Sequence, residues 1–434
     1  MIIVMFLSIA ATNPDTVVLS LDAATTRALA ANPALLAERA DARAAATLTG
    51  TASRAFLPSL RADVMGLRTT DPVGVFGLKL RQGVFAGSDL ALDALNSPAA
   101  FGGFTSSATV ELPLLAPEGW FGYAAAGRGA AARRAATERM AGATVFMVTQ
   151  AYLDAQLAAR RLTALDTSLA ATRAHERQAD ALRREGLVTG LDARLAALQA
   201  ADVEVRRLAA AAEAENALSR LRALLALPEA TVLVLTDSLL TDRPATCPDA
   251  ACTLDARGDV RALAAGRDAT GAARKSAWAA QLPQLGAFGT VAYHGHDTPW
   301  SSGSGDWTVG IALRWNVFPA LGGIAAVRKA TAERDAAAAR HDAALRRAEV
   351  EVLEATRLVD AARQGAAVAG RAEGEAREAL TQAQLRYRTG AAPITELLDV
   401  QSAATTATLN HLTARRDLLL AQAALDFAYG VHDR

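Results

Sequence analysis

Three small groups of residues have types that could do chemistry. Asp192, Glu396 and Asp399 are carboxylates set close behind glycines, in "GLVTGLD" (186–192) and "GAAPITELLD" (390–399). At a helix start such carboxylates would complete a cap. Cys247 and Cys252, the only cysteines, lie in "TCPDAACT" and read either as unrelated small residues or, in an oxidising compartment, as a local disulfide. His294 and His296 in "YHGHDTPW" have no third ligand nearby and read as exposed loop histidines, not a metal centre. No nucleophile–base pair, phosphate loop or metal cluster has the spacing that catalysis requires. The chain reads as a non-enzyme with no cofactor.

The carboxylate motifs interrupt the longest helix-forming stretches. Of 434 residues, 51% are hydrophobic but only 5% are aromatic, and alanine supplies much of the apolar fraction. Alanine is the best helix former but buries little area, which favours long, closely packed helices over a thick aromatic core. No proline interrupts Glu118 to Arg184 or Leu321 to Thr389. At 1.5 Å per residue, such a stretch extends about 100 Å. The returning segment keeps Leu191, Leu195, Leu198 and Val205 at three-four spacing, as a coiled-coil seam does. Each break is therefore the turnaround of an antiparallel hairpin. Gly186 ends one helix in a left-handed conformation, and Thr189-Gly190-x-Asp192 fits a capping box that starts the next. Gly390 ends the other, Pro393 suits the first helical turn and Glu396 falls near N3.

The chain also repeats. "NPALLAERADARAAATLTGTASRAFLPSLRADV" (32–64) has the layout of "GDVRALAAGRDATGAARKSAWAAQLPQLGAFGTV" (258–291), and "VELPLLAPEG" (110–119) that of "LRWNVFPALG" (313–322). We read a first repeat at 13–230, a linker at 231–256 and a second repeat at 257–434, each with the order helix, strand, strand, long helix, shorter helix. In "WTVGIALRWNV" (307–317), Trp307, Val309, Ile311, Leu313, Trp315 and Val317 alternate with small, polar or charged residues. An ordinary half-buried sheet shows this period too, but the aromatic ends and the Arg and Asn of the other face suit a lipid-facing barrel strand. Four strands cannot close a membrane barrel, so lipid-facing strands would require several chains. Residues 1–12 contain an apolar run, Ile2 to Ala11, of the length of a signal-peptide core but without its basic flank. The 45 basic residues match 45 acidic ones, which argues against a nucleic-acid partner.

With these residues in order, the chain resembles the TolC family of outer-membrane efflux proteins. The likeness rests on "NPALLAERADARAAA", "AFLPSL", "GDVRALAAGRDATGAARKSAWAAQLPQL", "LRWNVFPALGG" and the two Gly-x5-carboxylate breaks. It implies a mainly α fold with a small membrane β part: long antiparallel α-helical hairpins forming an α-barrel, and four strands per chain in a twelve-stranded trimeric β-barrel. It implies a homotrimeric exit duct in the outer membrane of a Gram-negative bacterium, reaching into the periplasm. The partners would be outer-membrane lipid, a periplasmic adaptor (membrane fusion) protein and an inner-membrane pump of RND or ABC type. Residues 71–104 would be a long external loop, and 231–256 would lie in an equatorial belt.

The resemblance further implies a periplasmic gate formed by Tyr387, Asp192, Glu396 and Asp399, with Tyr387 holding Asp192 and the second-hairpin carboxylates ringing the opening. Where the family has an arginine two residues after the second glycine, this chain has Ala392, so Arg386 or Arg388 would have to supply a second latch bond. Gly186, Thr189, Gly190, Gly390 and Pro393, at the turns, would be where an adaptor docks. The competing reading is a soluble periplasmic coiled-coil scaffold without channel activity. It accounts for the helices but not for the aromatic-ended strands.

Overall fold

The structure, a computed structural model, describes residues 16–240, 253–301, 303–318 and 320–433. The candidate export signal at 1–12 and both cysteines, Cys247 and Cys252, lie outside the described residues. In chain order the elements are β1 (Thr16–Leu19), α1 (Leu21–Ala31), α2 (Pro33–Ala52), β2 (Ser59–Thr69), α3 (Pro72–Arg81), α4 (Leu92–Asn96), β3 (Phe101–Leu115), α5 (Pro117–Arg184) and α6 (Gly190–Leu224). There follow β4 (Val232–Leu235), α7 (Gly258–Ala279), β5 (Gln284–Gly295), β6 (Gly303–Arg314), α8 (Ala320–Arg388) and α9 (Ile394–Tyr429). Helix, strand, strand, long helix, helix thus occurs twice: α2-β2-β3-α5-α6 and α7-β5-β6-α8-α9. Helices α5 and α8, of 68 and 69 residues, are uninterrupted because neither contains an internal proline. No described helix is long and apolar enough to cross a membrane.

The chain divides into two compact units, one of 1–42, 133–262 and 342–434, the other of 43–132 and 263–341. The first is mainly helical, and alanines share its core with leucines. The buried face of α6 carries Ala196, Ala200, Val203, Ala214, Ala217 and Leu221. Of the four residues expected at a seam, Leu195 packs against the cluster of Ala196, Ala383 and Leu397, whereas Leu191, Leu198 and Val205 are exposed. Alanine lets helices approach closely, so it takes the inner face of α6 and leaves Leu191 and Leu198 outside. Parallel strands β1 and β4 close this unit against the Val148, Tyr152 and Leu221 core. The Tyr152 hydroxyl lies 2.9 Å from the Asp237 carboxylate and 3.0 Å from the Leu19 carbonyl, and burial pushes its pKa up to about 12. Arg257, 2% exposed, donates to Asp259, to Glu351 and to the Ala428 carbonyl. The buried Asp433 carboxylate accepts from the Gly258 amide at 2.9 Å and from Arg139 at 3.2 Å, which anchors the end of α9.

The second unit holds a four-stranded antiparallel sheet of order β2-β3-β5-β6. Its register sorts most side chains by polarity, although Met65, Leu67 and Phe288 fall on the polar side. Leu60, Ala62, Val64, Ala108, Val110, Val291, Trp307, Val309, Ile311 and Leu313 share one face. Arg61, Asp63, Thr105, Ser107, Thr109, Thr290, His294, Asp306 and Thr308 share the other. No element covers the apolar face: Trp307 is 74% exposed and Ile311 70%. Strands β2 and β6 each pair on one side only. Strand β6 ends at Arg314, short of the expected 317, and Trp315 turns its indole N–H to the Gln281 carbonyl at 3.1 Å.

Two expectations are corrected in this unit. Residues 71–104 are not one loop: Asp71 caps the Gly74 amide at 2.6 Å, Pro72 opens α3, and β3 begins at Phe101. An aspartate followed by proline is a helix start, and that signal lay in the sequence. His294 is not exposed either, at 4%. Its Nδ1 lies 3.1 Å from the Thr105 hydroxyl and its Nε2 2.9 Å from Asp306.

Candidate functional site at the hairpin turns

Both helix breaks are tight turns of one type. Gly186 (φ 77°) and Gly390 (φ 73°) take the left-handed conformation that other residues adopt only with strain. The Leu187 amide donates to the Leu182 carbonyl at 2.9 Å and the Gly186 amide to Arg183 at 3.1 Å. In the second turn Ala391 donates to Arg386 at 2.8 Å and Gly390 to Tyr387 at 3.1 Å. This paired pattern satisfies carbonyls that a helix end otherwise leaves open.

The carboxylate that follows is used differently in each turn. Thr189 is the N-cap of α6, Gly190 its first residue, and Asp192 stands at N3. The Thr189 hydroxyl accepts from the Asp192 amide at 3.2 Å, while the Asp192 carboxylate accepts from the Thr189 amide at 3.0 Å and from its hydroxyl at 2.8 Å. Asp192 is spent on this reciprocal cap. At the second turn Pro393 is the N-cap, not the first helical residue, and has no side chain that can cap. Glu396 again stands at N3 but forms an ion pair with Arg386 at 2.7 Å, across the turn from the end of α8. Asp399, one turn further on, is exposed and makes no ion pair among the described residues.

Beneath the turns lies a shared apolar cluster of Ala179, Ala196, Ala383, Tyr387, Ile394, Leu397 and Leu398. It joins α5, α6, α8 and α9. Tyr387 is 9% exposed and its hydroxyl has no hydrogen-bond partner among the described residues. Burial, and then the nearby Asp192 charge, hold its pKa above the ordinary value. Tyr387 and Asp192 thus feel each other electrostatically without a hydrogen bond, while the cap engages Oδ2 of the carboxylate. His175 of α5 also has a buried, unpartnered Nε2. Burial and the Arg388 charge hold its pKa below the usual histidine value.

The geometry brings all four expected gate residues to these turns, pairs Arg386, one of the two arginines expected there, with Glu396, and adds His175. The Arg386 pairing was legible as an i, i+10 crossing only once the turn type was known. His175 carries no sequence signal, since it sits mid-helix. Among the described residues no group of three or more metal-ligating side chains occurs.

Residues 252–431 match the family model for outer membrane efflux proteins. Over this stretch the chain is similar to outer membrane efflux proteins. The second turn, with Tyr387, Glu396 and Asp399, falls inside the efflux-protein match; the first falls outside it. No curated protein matches the sequence. Solved structures reach further. The CmeC outer membrane channel of Campylobacter jejuni is similar at 17% identity and a TM-score of 0.81, over 94% of this chain and 85% of that one. The open state of the MtrE outer membrane channel of Neisseria gonorrhoeae gives 19% and 0.76, over 94% and 88%. A membrane protein of Pseudomonas aeruginosa gives 21% and 0.79, over 94% and 90%. At these identities the likeness is one of fold, and it includes the first repeat as well as the efflux-protein stretch.

Proposed function

We propose that this protein is the outer-membrane exit duct of a tripartite efflux or type I secretion system. The observation that carries the reading is the sheet, which has an exposed apolar face, a polar face and two unpaired edge strands. In hydrocarbon an unpaired strand edge costs several kcal/mol per orphaned group, so an open four-stranded sheet cannot stand in a bilayer. Three copies would pair β6 of one with β2 of the next and close a twelve-stranded barrel, apolar side to lipid. The exposed leucine stripe of α6 supports the same assembly, since Leu191, Leu198 and Val205 find no partner within one chain.

The location is the outer membrane, as the family implies. The duct is passive and works with a periplasmic adaptor, which docks at the small-residue turns around Gly186, Gly190 and Gly390. An inner-membrane pump of RND or ABC type selects the cargo. Tyr387, Asp192, Glu396 and Asp399 form the periplasmic gate. Closure rests on the apolar cluster around Tyr387 and on the Arg386–Glu396 pair, while Asp399 supplies uncompensated negative charge.

Membrane fractionation tests the location: the protein should require detergent for extraction and elute as a trimer. Release as a soluble monomer would return the scaffold reading. Planar-bilayer conductance tests the gate. Glu396→Ala should raise conductance by breaking the pair with Arg386, whereas Tyr387→Phe, which removes only an unpartnered hydroxyl, should change it little. Unchanged conductance and cation block in both variants would sink the gate assignment.

A further inference from the structure

The insertion between β2 and β3 folds back over the sheet, and it does so on one face only. By register Phe101, Gly103 and Thr105 of β3, His294 of β5, and Ser304 and Asp306 of β6 all lie on the polar face. Gln82, 4% exposed and just after α3, is the anchor. Its side-chain nitrogen donates to the Gly102 carbonyl at 3.3 Å, and its oxygen lies 3.1 Å from His296 Nδ1 on the β5–β6 turn. With the amide nitrogen donating to the strand, the imidazole N–H donates to the amide oxygen, so one side chain ties β3 to that turn. A Cβ at Gly103 would overlap the Gln82 amide, which explains a glycine there. Lys79 lies 5.5 Å from the centre of the Phe101 ring and pairs with Asp89 at 2.6 Å, while the Phe101 and His296 rings are 5.2 Å apart. At Gly83 a Cβ would stand 3.9 Å from the Ser304 Cβ. The contacts that the insertion makes with the strands fall on the polar face or at the turn end of the strands.

A loop that served only to present a surface outward would stand clear of the strands. This one spends a buried amide and a lysine on staying over the polar face. We infer that residues 72–96 are a lid, latched by Gln82 and His296, that narrows the external mouth of the duct and so limits the size of what leaves. The inference rests on the duct reading, because only there does the polar face line a lumen. It makes Gln82 a positioning residue for passage, and it places a second constriction at the opposite end of the strands from the helices.

The test uses the full-length protein in planar bilayers, with Gly83→Cys and Ser304→Cys in a Cys247→Ser, Cys252→Ser background. The 3.9 Å separation lies within the Cβ–Cβ range of a disulfide, which can offset the strain of a cysteine at φ 69°. Oxidation should form the bond within one chain, seen by mass, and hold conductance at its low level. Reduction should raise it and admit larger polyethylene glycols added from the turn side. Gln82→Ala should give about a twofold rise in conductance without any redox step. Failure of the cysteines to link, or equal conductance and polymer exclusion in Gln82→Ala, oxidised and reduced channels, overturns the lid and leaves the duct intact. Absence of any channel, in wild type and Glu396→Ala alike, removes the duct reading itself.

Discussion

The two hairpin turns share a glycine, a spacing and a backbone pattern, and yet they treat the same carboxylate position in opposite ways. The first turn has Thr189 to reciprocate, so Asp192 closes on its own helix start. The second has Pro393 there, which can neither donate nor cap, so Glu396 is left to reach Arg386. One residue at the N-cap decides whether the charge is used locally or across the turn. The first turn is therefore a rigid corner, and the second is a corner held by an ion pair that solvent can reach.

The largest test of this comparison removes what the turns share. Leu397, 1% exposed, belongs to the cluster beneath both. Leu397→Ala should cost about 2–5 kcal/mol and speed hydrogen exchange at both turns together. If only the second turn loosens, the two do not share a core. The next test separates them. Asp192→Ala should cost about 0.5–2 kcal/mol by undoing the capping box, with faster exchange confined to the start of α6. Glu396→Ala breaks a surface pair and should cost no more than about 1 kcal/mol. Equal losses would mean that the N-cap residue does not set the difference.

Charge gives a third, smaller contrast, read as reversal potential in a salt gradient. Asp399→Asn should lower cation selectivity more than Glu396→Gln, because Arg386 already offsets Glu396. Arg386→Ala should raise it. The smallest effect concerns pH. His175 has a folded pKa below its ordinary value of 6.5, because burial and Arg388 disfavour the protonated ring. The unfolded chain therefore binds more protons just below pH 6.5. The stabilisation is present above that pH and is lost as pH falls toward the folded pKa. Urea midpoints from pH 7.5 to 5 should fall more in wild type than in His175→Gln. Identical slopes would show that His175 is not buried in the assembled protein.

Much of the fold could be read from residue order. The proline-free alanine stretches marked α5 and α8 nearly to the residue, and Trp307, Val309, Ile311 and Leu313 marked one face of β6. Leu191, Leu198 and Val205 misled, because three-four spacing reports a stripe but not which partner covers it. His294 misled for a related reason: a histidine between turn residues reads as exposed until its strand partner is known, and Thr105 comes from nearly two hundred residues earlier. The corner at 186–192 was legible, since a capping box is local.

What the sequence determined by itself is local: where helices start and stop, which strands alternate, and that each glycine-carboxylate break is a turn. These depend on backbone conformation and near neighbours, which a short window contains. Only the tertiary structure decided that alanines line the inner face of α6 while Leu191 and Leu198 face out, that Glu396 pairs with Arg386 while Asp192 stays on its cap, and that the insertion after β2 lies on the polar face. Each of those depends on which side chains distant in sequence arrive within a few ångströms of one another, and spacing along a chain does not carry that information.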